Sequence, residues 1–237
     1  MNTSYIKDYK DKELKHFIMA SVIVVVSLIG LRMYGIWPQD GLESLLLKAI
    51  PIDLLEAAIG ILVYIFTELW NNTAKVWIVY KQLPSDTVFS DIIAGKMKSL
   101  DFDIVQAKNK YHTNAQKTNR QQTIEWNKML REARKEEVGS VIEAERSQLL
   151  TRDMCITSFT LFIINVIVFI IVAIVLKSFS ESVKLFALPM IYLVAMFFIT
   201  KMIARNKAKR LLELVIKNDL LTQEDKEIIL PEQAKNM

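Results

Sequence analysis

The sequence predicts an all-α integral membrane protein in which two transmembrane hairpins, four spans in all, flank a helical cytoplasmic module. Long uncharged stretches are the first observation behind this prediction: Cys155–Leu176 contains 22 residues and no charged side chain. A helix needs about 20 apolar residues to cross the hydrocarbon core of a bilayer. The second observation is segregation, because 24% of the 237 residues are charged, yet charges are almost absent from four windows.

Four apolar segments are expected to cross the membrane, and their residues are 17–36, 52–70, 155–176 and 185–203. The second segment is the least apolar, because Asp53, Glu56 and Glu68 fall inside it. A buried helix of a soluble domain is the alternative for that stretch. The connector before it is too short to form a domain, so the chain must return across the membrane, which favours the hairpin.

The distribution of Lys and Arg orients the spans. These residues number 4 in 1–16, 14 in 71–154 and 8 in 201–237, whereas the connectors 37–51 and 177–184 hold three lysines. Cytoplasmic loops of membrane proteins carry an excess of Lys and Arg. We therefore expect both termini and the segment 71–154 in the cytoplasm, and the bacterial inner membrane is the default compartment.

This topology divides the chain into five parts. They are a cytoplasmic tail (1–16), a first transmembrane hairpin (17–70), a cytoplasmic helical module (71–154), a second transmembrane hairpin (155–203) and a cytoplasmic helical tail (204–237). The short outer connectors leave the cytoplasmic parts as the expected place for soluble contacts.

The cytoplasmic module is expected to contain two helices and a linker. Residues 91–111 mix apolar and charged side chains, so one face of a helix can be buried there, and the polar stretch 112–122 predicts the linker. From Ile124 to Leu176 no proline interrupts the helical periodicity, so we expect one continuous helix that projects about 40 Å into the cytoplasm.

An apolar stripe on the cytoplasmic part of that helix predicts an interface. Trp126, Leu130 and Val141 belong to this stripe and advance at helical spacing. We expect the stripe to be buried against the 91–111 helix or against another subunit. A cytoplasmic protein or a small ligand would bind to the same module.

Charged residues inside the first hairpin are candidates for a functional site, because ionisable groups in spans usually face the bundle interior or a water-filled path. Arg32 and Glu56 lie about one turn from the outer ends of antiparallel neighbouring spans, with Asp53 one turn above Glu56. We expect Arg32 and Glu56 to pair. The pair either locks the hairpin or lines the mouth of an oligomeric pore or proton path.

Two further polar residues fall inside predicted spans. Glu68 lies near the inner end of the second span, where Lys15 or Lys75 is expected beside it. Asn165 lies midway along the third span, where its amide is expected to form a hydrogen bond across helices.

A basic cluster follows the fourth span and predicts contact with lipid headgroups. Its members are Lys201, Arg205, Lys207, Lys209 and Arg210. Each cation near an anionic membrane surface contributes about 1 kcal/mol.

The sequence contains no pattern that is typical of an enzyme, a cofactor site or a metal site. Cys155 is the only cysteine, there are two histidines, and no glycine-rich phosphate loop is present. The 14 basic residues of segment 71–154 are balanced by 11 acidic ones, which disfavours nucleic-acid binding. We therefore expect a non-enzymatic protein.

The C-terminal tail resembles a known short motif. Residues 209–230 contain a leucine-rich helix, a turn and then a Leu-hydrophobic-Thr stretch with acidic residues, and in these features they resemble the C-terminal helix-turn-helix known as SHOCT. Asn218 and Asp219 stand where that family's turn usually has glycine, and they can also adopt a left-handed turn. The resemblance implies oligomerisation or protein contact.

The architecture as a whole resembles small bacterial multi-span membrane proteins, including effectors that accompany antiviral defence systems. The likeness implies a self-assembling, channel-like effector in which a signal on the cytoplasmic module makes the spans leak ions. A membrane scaffold or accessory subunit that docks a cytoplasmic partner is the second interpretation. An intramembrane enzyme that uses Asp53 and Glu56, or a small transporter, is the third.

Overall fold

The protein is helical wherever the structure describes it. A computed structural model describes residues 3–36, 52–97 and 102–221, which contain α-helices, one 3-10 turn and no β-strand. The helices are α1 (Thr3–Ile36), α2 (Ile52–Leu69), α3 (Asn72–Tyr80), α4 (Val88–Ile93), α5 (Ile104–Ala115), α6 (Asn119–Lys135), α7 (Gly139–Leu176) and α8 (Phe179–Leu220). The predicted all-α class is confirmed.

Two of the described helices are long and apolar enough to cross a membrane, and not the four that the sequence predicts. They are α7 and α8, and only 22% and 28% of their most apolar 18-residue stretches are buried. The apolar part of α2, Ile59–Leu69, is shorter than a span. The apolar part of α1 extends into 30–36, whose side chains lie outside the described residues.

The described residues form two compact units. One, called the bundle here, consists of residues within Asn2–Val79 and Leu150–Ile203. The other, called the module, consists of residues within Tyr80–Leu149 and from Ala204 onward. The described part of the C-terminal tail therefore packs with the predicted cytoplasmic module and is not a separate element.

Aliphatic side chains from α1, α2, α7 and α8 form the core of the bundle. Its fully or nearly fully buried members include Leu14, Ile18, Val22, Val63, Leu161 and Leu193. Each such side chain contributes about 1.5–3 kcal/mol when it leaves water. The helices α1 and α2 approach closely at Gly60, where a Cβ would lie 2.9 Å from Sδ of Met19.

The core of the module is built by α4, α5, α6, the start of α7 and the end of α8. Its buried members include Phe89, Tyr111, Trp126, Val141, Leu212 and Ile216. The aromatic rings of Phe89 and Tyr111 pack 5.0 Å apart. The end of α8 enters this core because its apolar residues recur at three- and four-residue intervals between Leu211 and Leu220. The turn expected at Asn218 and Asp219 does not form, because both residues belong to the helix α8.

The continuous helix expected from Ile124 to Leu176 is wrong, because the chain turns between α6 and α7. Glu137 adopts a positive φ of 54°, and the N–H of Val138 donates to the carbonyl of Ala133 at 3.2 Å. This pattern is a Schellman motif with glutamate at the position that glycine usually occupies. The turn lets the apolar stripes of α6 and α7 enter the same core, which a straight helix would not allow.

The linker expected at 112–122 is also mostly helical. The helix α5 continues to Ala115, and α6 begins at Asn119 after a short turn. The Gln121 side-chain oxygen accepts from the N–H of Thr118 at 3.0 Å, which is half of a capping box. Lys117 Nζ lies 2.9 Å from Glu125 and lowers the pKa of that carboxyl. Local capping therefore orders a stretch whose polar composition is typical of a linker.

The positive φ of Glu137 predicts how substitutions at this position change the free energy of unfolding. Glu137→Val is expected to lower the unfolding free energy by about 1–2 kcal/mol, because a side chain with a β-branch fits poorly at positive φ. Glu137→Gly removes the same carboxylate without this strain and is expected to be more stable than Glu137→Val. Unfolding of the purified chain in detergent, followed by tryptophan fluorescence, measures both.

Glu143→Val is the matched control, because Glu143 is exposed within α7. Valine there costs only helix propensity, about 0.5 kcal/mol. If the Glu137→Val and Glu143→Val substitutions have equal effects, α6 and α7 are continuous in solution and the turn is absent.

Candidate functional site

A buried group of charged side chains lies at the end of the bundle where α2, α3 and α7 meet. Asp153 has no exposed side-chain surface, and Arg152 Nε donates to its Oδ1 at 3.1 Å. Lys75 Nζ lies 3.8 Å from Asp153 Oδ1 and 3.8 Å from Glu68 Oε1. The Lys75 side chain is 7% exposed, whereas that of Glu68 is 48% exposed. We call these four residues the charge cluster.

The local sequence places Lys75 beside these carboxylates. The helix α2 ends at Leu69, and α3 begins three residues later at Asn72. The Asn71 side-chain oxygen accepts from the N–H of Ala74 at 2.7 Å, which is a helix N-cap contact. The new helix direction lets one face of α3 pack on α7, and Arg152 Nη1 donates to Asn72 Oδ1 at 2.7 Å.

A polar face of α7 continues from the charge cluster towards the middle of the helix. Asp153, Thr157 and Thr160 are spaced by four and three residues, so they share one face. The hydroxyls of Thr157 and Thr67 lie 3.4 Å apart, and Trp70 Nε1 donates to Thr160 Oγ1 at 3.0 Å. In the described conformation α2 therefore covers the polar face of α7.

The charge cluster is electrically balanced, since it combines two cations with two carboxylates. Buried charges of this kind are tolerated only when each has a partner. The arrangement can hold α3 against α7, and Glu68 is its half-exposed member. Among the described residues, no group of three or more His, Cys, Asp or Glu side chains is placed to bind a metal ion.

Asn165 is buried in the bundle, with 5% of the residue exposed. Its side-chain oxygen accepts no hydrogen bond from the residues that the structure describes. The cross-helix hydrogen bond expected for Asn165 is therefore not formed through that oxygen within the described chain. A buried carbonyl of this kind costs about 1–3 kcal/mol unless water or a rearranged neighbour supplies a donor.

The predicted lipid-binding cluster divides into two parts. Lys201 Nζ donates to the carbonyl of Ile78 at 2.8 Å and lies 5.0 Å from the centre of the Phe197 ring. Lys201 thus contacts the C-terminal end of α3, where a cation is favourable. The other four residues of the cluster are exposed along α8: Arg205, Lys207, Lys209 and Arg210.

The predicted cytoplasmic interface is part of the module core. Trp126, Leu130 and Val141 are buried by α4, α5 and the end of α8. The stripe is therefore buried against the 91–111 segment, one of the two partners expected for it, and these three side chains are covered in the described conformation.

The predicted charge pair of the first hairpin lies outside the described side chains, since those of Arg32, Asp53 and Glu56 are not described. Glu68 is the member of the predicted set that the structure brings into a cluster, and Lys75 is one of the two lysines expected near it.

Sequence reasoning missed Asp153 and Arg152 as site residues, because they lie just outside the uncharged stretch that begins at Cys155. Their signal was the helical spacing of Asp153, Thr157 and Thr160, which a hydropathy pattern alone does not report.

A second polar contact closes the module between α5 and the end of α8. The hydroxyl of Tyr111 donates to Asp219 Oδ2 at 2.5 Å, and Lys110 Nζ lies 2.8 Å from the same oxygen. Burial of the ring, followed by the hydrogen bond and the charge of Asp219, raises the pKa of Tyr111 well above its usual range. This contact fixes the end of α8 against α5.

Comparison of the chain with protein-family models, with curated proteins and with solved structures finds no match.

Removal of the central carboxylate tests the charge cluster. Asp153→Leu is expected to lower the unfolding free energy by about 3 kcal/mol, because it leaves buried cations without their partner. Unfolding in detergent measures this loss. Glu181→Leu is the control, since Glu181 forms an exposed pair with Lys184, and such pairs contribute about 0–1 kcal/mol. Equal losses in the two variants would contradict the buried cluster.

The contact of Tyr111 predicts a loss of stability in alkali. In the unfolded chain Tyr111 ionises near pH 10, whereas its raised pKa keeps it protonated in the folded module. Its contribution is therefore complete below about pH 10 and falls above that pH, by up to about 1.4 kcal/mol per pH unit. The free energy of unfolding is measured from about pH 8 to 11. The Tyr192→Phe control keeps Tyr111, so it is expected to show this slope. The slope is expected to be shallower in Tyr111→Phe, and identical slopes would contradict the contact.

Proposed function

We propose that this chain is a non-enzymatic, multi-pass membrane protein that self-assembles in a bacterial inner membrane and leaks ions when a partner or ligand acts on its module. The observation that carries the proposal is the exposure of the apolar faces of α7 and α8. Ile170, Ile171 and Ile174 of α7 are 50–71% exposed. A core helix of a soluble protein buries such residues, so lipid or another copy is needed to cover them.

The same proposal assigns α1 and α2 as two further spans. The helix α1 is unbroken through residues 17–36, and 20 helical residues extend about 30 Å, the thickness of the hydrocarbon core. Side chains of α1 and α2 share one core with α7 and α8. The excess of Lys and Arg in 71–154 and after residue 200 then puts both termini and the module in the cytoplasm.

The described conformation corresponds to a closed state in this proposal. The side chains that α7 exposes beyond residue 165 are mainly aliphatic, whereas Asp153, Thr157 and Thr160 are covered by α2 and α3. Separation of α2 from α7 would uncover these polar side chains. Several copies in that state would surround a path with the hydroxyls of Thr157 and Thr160 and with the Arg152–Asp153 pairs, a polar lining that ions can cross.

A membrane scaffold or accessory subunit is the second candidate. It is supported by the separate core of the module, which joins α4, α5 and α6 to the ends of α7 and α8. Because the module has its own hydrophobic core, its surface can stay the same whether or not the bundle opens. A cytoplasmic protein could bind that surface in either state. A scaffold would need no leak.

Loss of the Trp70 contact is expected to open the closed state. Trp70→Ala removes the hydrogen bond to Thr160 and the ring contact with Phe159, whose centroid lies 5.9 Å away. Together these contribute about 2 kcal/mol, or roughly thirtyfold in the ratio of open to closed states. We expect cells that express Trp70→Ala to depolarise, as measured with a voltage-sensitive dye, at membrane levels where the parent chain does not.

Trp77→Ala is the matched control, because Trp77 is 67% exposed on α3 and contributes no such contact among the described residues. Protein levels are matched by blotting after a carbonate wash, which strips peripheral proteins from membranes. Loss of the chain in that wash would contradict the membrane proposal. Retention in the membrane without depolarisation by Trp70→Ala would contradict the leak and favour the scaffold.

A further inference from the structure

A shallow groove lies between α2 and α7 on the surface of the bundle. Its volume is about 200 Å³. Its walls are the side chains of Phe66, Leu69, Trp70, Thr160, Ile163, Ile164 and Ile167. The groove is adjacent to the polar face of α7, since Trp70 and Thr160 belong to both.

The chemistry of the walls selects an apolar occupant. Among the described residues no charged side chain lines the groove, and the one hydroxyl there, that of Thr160, accepts from Trp70 Nε1. A polar ligand would lose its hydrogen bonds to water here and could regain one at most at this single hydroxyl, which costs several kcal/mol. An aliphatic chain loses nothing and buries apolar surface on both sides.

The position of the groove points to a lipid. Its residues on α7 belong to the uncharged stretch that begins at Cys155, and the exposed side chains of Ile170 and Ile171 continue the same apolar surface. Arg152 lies eight residues before Thr160, or about 12 Å along the helix. That cation is 12% exposed and is already bound to Asp153 and Asn72, so it belongs to the charge cluster and not to the walls of the groove.

We infer that the groove holds one acyl chain of a phospholipid of the cytoplasmic leaflet. The inference rests on the proposed membrane topology and deepens it. A bound chain packs against Trp70, so its presence favours contact of α2 with α7. The bound lipid then stabilises the closed state, in addition to the lipids of the surrounding bilayer.

The test counts phospholipids that remain on the full chain after purification in a mild detergent, by native mass spectrometry. The parent is expected to retain a single phospholipid. Ile167→Trp fills the groove and is expected to abolish retention. Ile174→Trp is the matched control, because Ile174 is exposed on the same face of α7, two turns beyond the groove, and it is expected to retain the lipid.

A parent that carries no phospholipid, or equal retention in the two tryptophan variants, overturns the inference. So does a dimer of the parent that Ile167→Trp dissociates, because the groove would then be an interface between copies. The carbonate wash separates this failure from that of the proposed function. A chain that stays in the membrane but retains no lipid contradicts the groove alone, whereas a chain removed by the wash contradicts both.

A second measurement needs no change in the groove and applies even if Ile167→Trp does not fold. The parent is exchanged in detergent with a phospholipid that is brominated in its acyl chain, and bromine quenches nearby indole fluorescence. Quenching is expected in the parent and is expected to be lost in Trp70→Phe, which keeps the other three tryptophans. Equal quenching of the two proteins, or none, contradicts the inference.

Discussion

The carboxylate of Asp153 has no exposed surface, and a buried charge of this kind costs several kcal/mol unless opposite charges lie beside it. Arg152 precedes it on the same helix, and Lys75 reaches it from α3. For Lys75 to arrive there, α2 has to end near Leu69 and the chain has to turn at Asn71 before α3 begins. The neutralisation of Asp153 therefore constrains the end of one helix, the direction of the next and the face of α7 that both contact.

The packing of the other helices in the bundle depends on which apolar and polar faces are buried and which are exposed. The polar face of α7 is turned inward against α2, whereas much of the aliphatic surface of α7 and α8 is exposed. This distribution is the reverse of that in a soluble helical protein, where water faces the polar side. It is consistent with a medium that favours apolar surface. In the proposed function, the polar contact of α2 with α7 is the one that an opening motion would break.

In the module, unlike the bundle, the apolar faces of the helices are buried. The turn at Glu137 brings α6 and α7 into one core, and the end of α8 completes it with Leu212 and Ile216. The hydrogen bond from Tyr111 to Asp219 then fixes the last turn of α8. The helices α7 and α8 contribute residues to both the module and the bundle, so in the proposed function a signal on the module would act on these two helices.

The sequence by itself determined the all-α class and the apolar parts of α7 and α8, at 155–176 and 185–203, because long uncharged stretches leave a chain few alternatives to an apolar helix. It also left two lysines, Lys15 and Lys75, as neighbours of Glu68, and the structure shows Lys75 beside it. It did not determine the turn at Glu137, since glutamate is an ordinary helix residue and the motif forms only when Val138 and the stripes beyond it find a common core. Nor did it identify Asp153, whose partner Lys75 is distant along the chain. Only tertiary structure decides such features, because the energy of a buried charge or an apolar face depends on what packs against it.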